Sequence, residues 1–526
     1  MDFQSLAGLS HTLQTVVVAT LIFAACTYLP KINYRAQLAR LPVLGDHATG
    51  EKQRQTYLSS AKKMYHEGYT KFRDSVYRMA TSDGEDNVVI PLSLLPELRK
   101  LPDDVLSFPK AVDRAMEVKY TKLDTDAKLV VHSVRSDLTP ALCEYLKPTV
   151  NFHSNLCLAR LNPTICAEVD TSLEEYMPPC HDWTEVCINK KLVEIVAKVS
   201  GRVFVGPDLC QDPEYLDSGS NYTVDLMKAV QAIKRTRPWL RPFLAPRLPE
   251  IRQLRERERR AAEYLQPIVR ERIEAQKNDP DWQQPDDMLQ WMVNRSQGVN
   301  SVAQIAKMQL GLIFAAIHTT TMTTTNILYT LAVTPEYIQP LREEIREVIA
   351  ENGGTITSRA LQQMEKLDSY MKEVMRFYPP GVTSFGRRVL KGITLSNGQY
   401  IPPGVVIEVP STAIYSDPTH YGPDSSTFDG FRHYKLRRSG SSTTADHARN
   451  QFVTTNETNL AFGYGRHACP GRFFAANEIK MILARLILKY DVQMPGGGTE
   501  RYSQIEIGRA SMPDPGKMLV FRRVEV

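Results

Sequence analysis

Apolar and polar positions divide the chain into regions of different texture. Residues 12–29 (TLQTVVVATLIFAACTYL) pass without a charge. As a helix this stretch would span about 27 Å, close to the hydrocarbon thickness of a bilayer. Helical patterns dominate the middle of the chain. Residues 51–80 read as one long amphipathic helix. Residues 249–278 are so highly charged (RQLRERERRAAEYLQPIVRERIEAQ) that they read as a solvated helix over a core. Residues 301–333 are mostly apolar and are predicted to run through the interior. Thr334-Pro335-Glu336 has the form of an N-cap followed by proline at N1, opening a helix to about Ala350. Another helix runs to Tyr378 and stops at Pro379-Pro380. Residues 388–409 then alternate and carry Asn397-Gly398, a hairpin signal. Residues 411–456 read as mostly loop, and 472–490 return to helix.

The flanks of the first apolar stretch orient it. No Lys or Arg precedes it, whereas Lys31, Arg35 and Arg40 follow. A positive-inside bias therefore puts the C-terminal side in the cytoplasm, and a cleaved signal peptide would need a basic segment ahead of the stretch. The expected organisation is a lumenal N-terminus (1–11), a transmembrane anchor (12–29), a hinge around Pro42 (30–50) and one catalytic domain (51–526). That domain is expected to be mainly α with a smaller β-rich part. The sequons at Asn221, Asn294 and Asn456 would then face the cytoplasm and stay unused. Net charge is only +5 and no long basic run occurs, so nothing demands nucleic acid.

The eight cysteines (Cys26, Cys143, Cys157, Cys166, Cys180, Cys187, Cys210 and Cys469) include no CxxC pair, which argues against a zinc or iron–sulfur ribbon. Cys469 stands far from the rest, within Phe462-Gly-Tyr-Gly-Arg-His-Ala-Cys-Pro-Gly471, directly before a helix. Thiolate ligation of a haem iron asks for these features together. Gly463, Gly465 and Gly471 permit close approach of the backbone to a flat ring. A helix starting after the cysteine offers N–H groups and a dipole that temper the sulfur's charge. Phe462 can cover the sulfur side, and Arg466 and His467 can meet a propionate.

This loop resembles that of the cytochrome P-450 family, Phe-x-x-Gly-x-Arg-x-Cys-x-Gly. Phe462, Gly465, Cys469 and Gly471 match, and His467 replaces the usual arginine. Glu373-Val-Met-Arg376 is similar to the family's Glu-x-x-Arg, 93 residues before Cys469. Residues three apart share a helix face and can pair. Arg432, in Phe428-Asp-Gly-Phe-Arg432, is the matching third member of this ion network, whose implied role is structural. Ala315-Ala-Ile-His-Thr-Thr320 resembles the oxygen-activation segment, with Thr319 at the threonine position. His318 replaces the usual acid and is a candidate proton relay, since imidazole shuttles protons near neutral pH. Arg135, Arg387 and Arg388 are further candidates for the propionates.

The resemblance implies the cytochrome P-450 fold behind one N-terminal transmembrane helix, and a haem (iron protoporphyrin IX) with Cys469 as axial thiolate. The implied activity is that of a monooxygenase with catalytic Thr319 and His318. It also implies a single-pass protein of the endoplasmic reticulum membrane. Only 57 residues follow Cys469, too few for a flavin domain, so a separate NADPH–cytochrome P-450 reductase is the implied partner. Lys435, Arg437, Arg438, Arg466 and Arg472 are candidates for its docking face. The overall cast is most similar to fungal ent-kaurene oxidase and indole-diterpene groups, which points to a small lipophilic substrate, a terpenoid or meroterpenoid. Two other classes stand beside this: a haem-thiolate isomerase or dehydratase that needs no oxygen, and a non-enzymatic haem sensor using Cys469-Pro470. Residues 150–165 fit neither flanking helix and read as an insertion or a translated intron.

Overall fold

The computed structural model describes residues 3–45, 51–82, 84–125, 127–142, 160–440 and 443–524. The first helix, α1, runs Phe3–Ala39 straight through Pro30. Its part Gln14–Ala39 is long and apolar enough to cross a membrane. The expected hinge therefore does not begin at residue 30. Leu38 and Leu41 are buried in the core around the sheet, and Val43 bridges Arg78, because these apolar residues gain more by packing than by remaining a free linker. Residues 46–50 lie outside the described set.

The principal helices that follow are α2 (Glu51–Lys71), α3 (Leu161–Tyr176), α4 (Ile188–Phe204), α5 (Pro213–Arg235), α6 (Pro249–Asn278), α7 (Val302–Leu331), α8 (Ile338–Glu351), α9 (Glu365–Phe377) and α10 (Arg472–Lys489). A five-stranded sheet combines β1 (Tyr77–Ala80), β2 (Asp86–Val89), β3 (Leu106–Ser107), β4 (Ser384–Val389) and β5 (Val406–Val409) in the order β1-β2-β5-β4-β3. Only β2 and β5 pair in parallel, with Asn87 opposite Val406. Residues 72–80 thus leave the expected first helix, which ends at Lys71, to supply strand β1. The stretch 411–456, expected as mostly loop, carries four short helices among its described residues, including Arg432–Arg438, with loop between them. Asn397-Gly398 closes a hairpin between Ile393–Thr394 and Tyr400–Ile401, with Gly398 at φ 81°. Of the segment 150–165, residues 150–159 lie outside the described set, but Leu161, Asn162 and Ile165 are buried in the first turns of α3.

Helix α7 begins with a capping box between Ser301 and Gln304 and runs through the interior. Two of its buried threonines donate back to the helix, Thr324 to Thr320 O at 2.9 Å and Thr325 to Thr321 O at 2.8 Å, whereas the buried Thr321 hydroxyl has no partner. Thr334 does not cap the next helix. It bonds Thr330 O and Tyr370 instead, and Pro335 opens a 3₁₀ turn ahead of α8. Three cores result among the described residues, a large one among the helices, a smaller one on the sheet and a third where Tyr57, Ala61 and Tyr65 of α2 meet Tyr77, Met79 and Val89. The first two frame the site. The segment carrying Cys469 lies at their seam: Tyr464 belongs to the sheet core, whereas Phe452 and Phe462 pack edge to face on the helical one.

Candidate active site

Cys469 is half-buried just ahead of α10. Its own N–H donates to Phe462 O at 2.7 Å, which closes the loop back on itself. Gly463 and Gly465 stand at φ 75° and 71°, where a side chain would be strained. Gly471 has an ordinary φ of −86° and open space beside it, so its contribution is its N–H. Burial pushes the Cys469 thiol up; the N–H groups of Gly471 and Arg472 and the Arg472 charge oppose this by favouring the thiolate. The donor set at the sulfur is therefore suited to an anion.

Four segments bring cations and rings together beside this loop. Arg387 is buried on β4, its guanidinium 4.4 Å from the Phe385 ring centre and 5.1 Å from that of Phe108. Its side chain donates to Gly386 O, and among the described residues no carboxylate bonds it. Burial lowers its pKa to about 10, partly offset by Asp103. A buried guanidinium without an anionic partner is costly. His467 stacks on Phe108 and lies 2.7 Å from Asp103, which Arg466 approaches at 3.5 Å. Arg135 donates to Arg466 O at 2.8 Å. Arg388 does not join this group. Successive strand residues point to opposite faces, and it lines a different cleft with Asp113 and Arg114. Asp103 and Phe108, which nothing in the local sequence marked, hold the cluster together.

In the middle of α7, Ala315 and Thr319 are exposed one turn apart while Ile317 and Thr320 beside them are buried. The Thr319 hydroxyl donates to Ala315 O at 2.7 Å. His318 turns elsewhere: its Nε2 is 3.0 Å from Ser220 O on α5, and burial lowers its pKa, so a neutral ring donating to that carbonyl fits best. Adjacent helix residues are about 100° apart around the axis, which gives His318 a packing contact rather than a place beside Thr319.

Glu373 is fully buried on α9. Arg376 bonds it twice, at 2.9 and 2.7 Å, and Arg432 Nε reaches it at 3.1 Å. Burial alone would raise the carboxyl, but Arg376 and His433 outweigh it and hold the group at about 2. Arg376 also donates to Tyr415 O and Ser425 O, and Arg432 to Tyr421 O and Thr427 O. The rings of these tyrosines lead on to the cysteine loop: Tyr421 OH donates to Thr458 O at 2.7 Å and Leu460 N–H to Tyr415 OH at 2.9 Å. His433, Tyr415 and Tyr421 carry no motif that would have singled them out.

The family model for cytochrome P-450 matches residues 146–520, well over half of the sequence. The chain belongs to the cytochrome P-450 family. Members of the family bind haem through a cysteine thiolate, and the sulfur's two N–H donors and the unpaired Arg387 fit that group. TES1 of Alternaria alternata, a cytochrome P-450 monooxygenase, is 41% identical over 99% of this chain and 96% of its own length. ATR3 of Stachybotrys chlorohalonatus, also a cytochrome P-450 monooxygenase, is 37% identical over 84% of this chain and 89% of its own. The ent-kaurene oxidase of Fusarium fujikuroi is 33% identical over 95% of this chain and 91% of its own. The chain is thus an oxidoreductase of the monooxygenase kind.

Of the cations considered for a P-450 reductase, Arg437 is buried against Asp368 and Arg472 is bonded to Val453 O and Cys469 O, so neither is free to dock. Lys435, Arg438 and Arg466 remain exposed.

Proposed function

We propose that this enzyme oxidises a small lipophilic substrate of terpenoid or meroterpenoid type, using O₂ and electrons that a separate reductase draws from NADPH. The observation that carries the reading is the pairing of Cys469, whose sulfur is met by the N–H groups of Gly471 and Arg472, with an Ala315–Thr319 notch exposed in the middle of a helix that packs against α10. The ent-kaurene oxidase relative supports the substrate class. Haem would supply the oxygen chemistry when bound, and thiolate ligation would tune it. Cys469 would hold it through its sulfur, with the N–H groups of Gly471 and Arg472 sharing the sulfur's charge. Arg387 offers the buried cation that a propionate would pair, with Arg135, Arg466 and His467 around it. Thr319 Oγ1 holds a proton now directed at Ala315 O; rotation of that hydroxyl would present it to the notch. The apolar part of α1 keeps the enzyme in the endoplasmic reticulum membrane with residues 1–11 lumenal and the domain cytoplasmic.

The test uses the full-length protein with haem. A strongly red-shifted Soret band under reduction and carbon monoxide, lost in Cys469→Ala, is expected. With reductase, NADPH and ent-kaurene as probe, oxygenated product should form only in air. Product formed without oxygen or reductase would instead identify an isomerase.

A further inference from the structure

Arg388, turned away from the crevice of Arg387 and His467, shares a second cleft of ≈ 370 Å³ with Asp113, Arg114, Glu117 and Arg241. Two carboxylates of this cleft are held by other groups. Glu117 pairs with Arg241 at 2.9 Å, and Asp113 accepts from Lys110 at 2.9 Å and from Thr125. Burial alone would raise the Asp113 carboxyl, but those two donors and the charges of Lys110 and Arg388 hold it below the ordinary range, so it stays ionised. The third carboxylate, Glu85, lies 3.0 Å from Arg114, with a side chain that is 59% exposed. Two guanidiniums keep donors to spare. Arg388 is half-buried and pairs with no carboxylate among the described residues. Arg114 has both terminal nitrogens buried without a hydrogen-bond acceptor, because the Glu85 oxygen beside Nη1 lies out of line with its N–H groups. A buried guanidinium donor without an acceptor is costly. Two such forks facing one cleft suit a planar anion with two oxygens. Counting Lys119, cations outnumber carboxylates four to three, so one monoanion would balance the cleft, and a carboxylate fits better than a phosphate dianion.

The setting points to an acid with an apolar body. Val118 gives the cleft an apolar wall. Tyr34, near the end of α1, lies within electrostatic reach of Glu85, Arg114 and Arg388. The cleft is therefore close to the helix that is long and apolar enough to cross a membrane, where a lipophile dissolved in a bilayer would arrive. It is also close to the candidate active site. The short helix Phe108–Ala115 carries Arg114 near its end and Phe108 at its start, 5.1 Å from the Arg387 guanidinium. Six residues of helix place the cleft about 9 Å from that crevice.

We infer that this cleft binds the carboxylate of a lipophilic acid, one oxygen accepting from Arg114 and the other from Arg388, and so holds an acid-bearing lipophile beside the active site. This deepens, and rests on, the reading of the enzyme as an oxidase of lipophilic substrates. Calorimetry on the full-length haem-loaded protein in nanodiscs, corrected for empty nanodiscs, tests it with sodium decanoate as probe. Decanol and sodium acetate are the controls. Decanoate should bind, and Arg114→Gln and Arg388→Gln should each weaken it about tenfold, with the reduced-carbon-monoxide spectrum unchanged as the check on folding. Glu85→Gln, which removes the competing carboxylate, should tighten decanoate about threefold, a gain that damage to the fold would not produce. Decanol bound as tightly as decanoate, or decanoate binding indifferent to all three substitutions, would overturn the site. Acetate that binds as tightly as decanoate and displaces it would assign the cleft to a small free carboxylate and overturn the lipophile. The calorimetry needs no turnover. A protein that binds decanoate as expected yet oxidises no lipophile would therefore sink the reading of the enzyme and leave the carboxylate site standing.

Discussion

Replacing Glu373 by Gln keeps the side chain's shape and removes its charge from between Arg376, Arg432 and His433. The carboxyl is held from an ordinary 4.5 down to about 2 despite full burial. A tenfold change in acidity corresponds to ~1.4 kcal/mol, so the surroundings favour carboxylate over neutral acid by about 3 kcal/mol. Breaking a buried ion pair from one side costs about 3–5 kcal/mol, and Gln, which still accepts one hydrogen bond, belongs at the low end. A depressed carboxyl contributes stability that is complete above its unfolded pKa and is lost as pH falls towards the folded one. Wild type and Glu373→Gln should therefore differ fully above about pH 4.5 and converge near pH 2. Urea unfolding of the full-length protein at pH 7 and pH 3.5 measures this. Because Arg376 and Arg432 hold Tyr415 and Tyr421, and these hold Thr458 and Leu460, the variant should also lose its red-shifted Soret band at a lower urea concentration than wild type. Equal urea midpoints at pH 7, or a stability loss that leaves the band's midpoint unmoved, would refute the coupling.

Other consequences are open to direct measurement. Thr319→Ala should lower product formed per NADPH consumed, and Thr319→Ser, which keeps the hydroxyl on Ala315 O, should restore most of it; equal coupling in all three would remove Thr319 from proton handling. Arg387→Met should raise the melting temperature of the haem-free protein by relieving an unpaired buried cation, yet weaken haem retention; a fall in both would mean that the guanidinium is structurally satisfied without haem. Glu478, buried on α10 with Ser200 as its hydrogen-bond donor, is raised by burial to about 8. A raised carboxyl contributes stability that is full below about pH 4.5 and is lost as pH rises towards 8, so urea midpoints should fall between pH 5 and 8 in wild type and less in Glu478→Gln. Parallel pH profiles would show that Glu478 is not a neutral acid in the fold.

Much of the architecture was legible where the signal is local. The charged face of 249–278, the apolar length of 301–333 and the proline stop after Phe377 each depend on residues a few positions apart, and those helices occur with nearly the expected bounds. Expectations failed where distant residues decide. Residues 77–80 have helical surroundings in sequence but pair with β2, and 432–438, polar and glycine-flanked, turns helical where Asp368 and Glu365 receive Arg437 and Arg438. The same division runs through the site. The spacing around Cys469 and the Glu373–Arg376 interval are matters of one turn or one loop. By contrast, Asp103 under His467, Phe108 under Arg387 and Ser220 opposite His318 come from segments separated by up to hundreds of residues.

By itself, then, the sequence determined the chemistry offered: a cysteine ahead of a helix dipole, a threonine in an apolar helix, a carboxylate and arginine on one helix face. Backbone geometry over a few residues dictates all of these. Only the tertiary structure decided which of the candidate arginines is buried without an anion, why Arg388 faces away from Arg387, and that His318 spends its hydrogen bond on α5. Burial and partnership are properties of the packed chain, because they depend on which remote groups exclude water from a site.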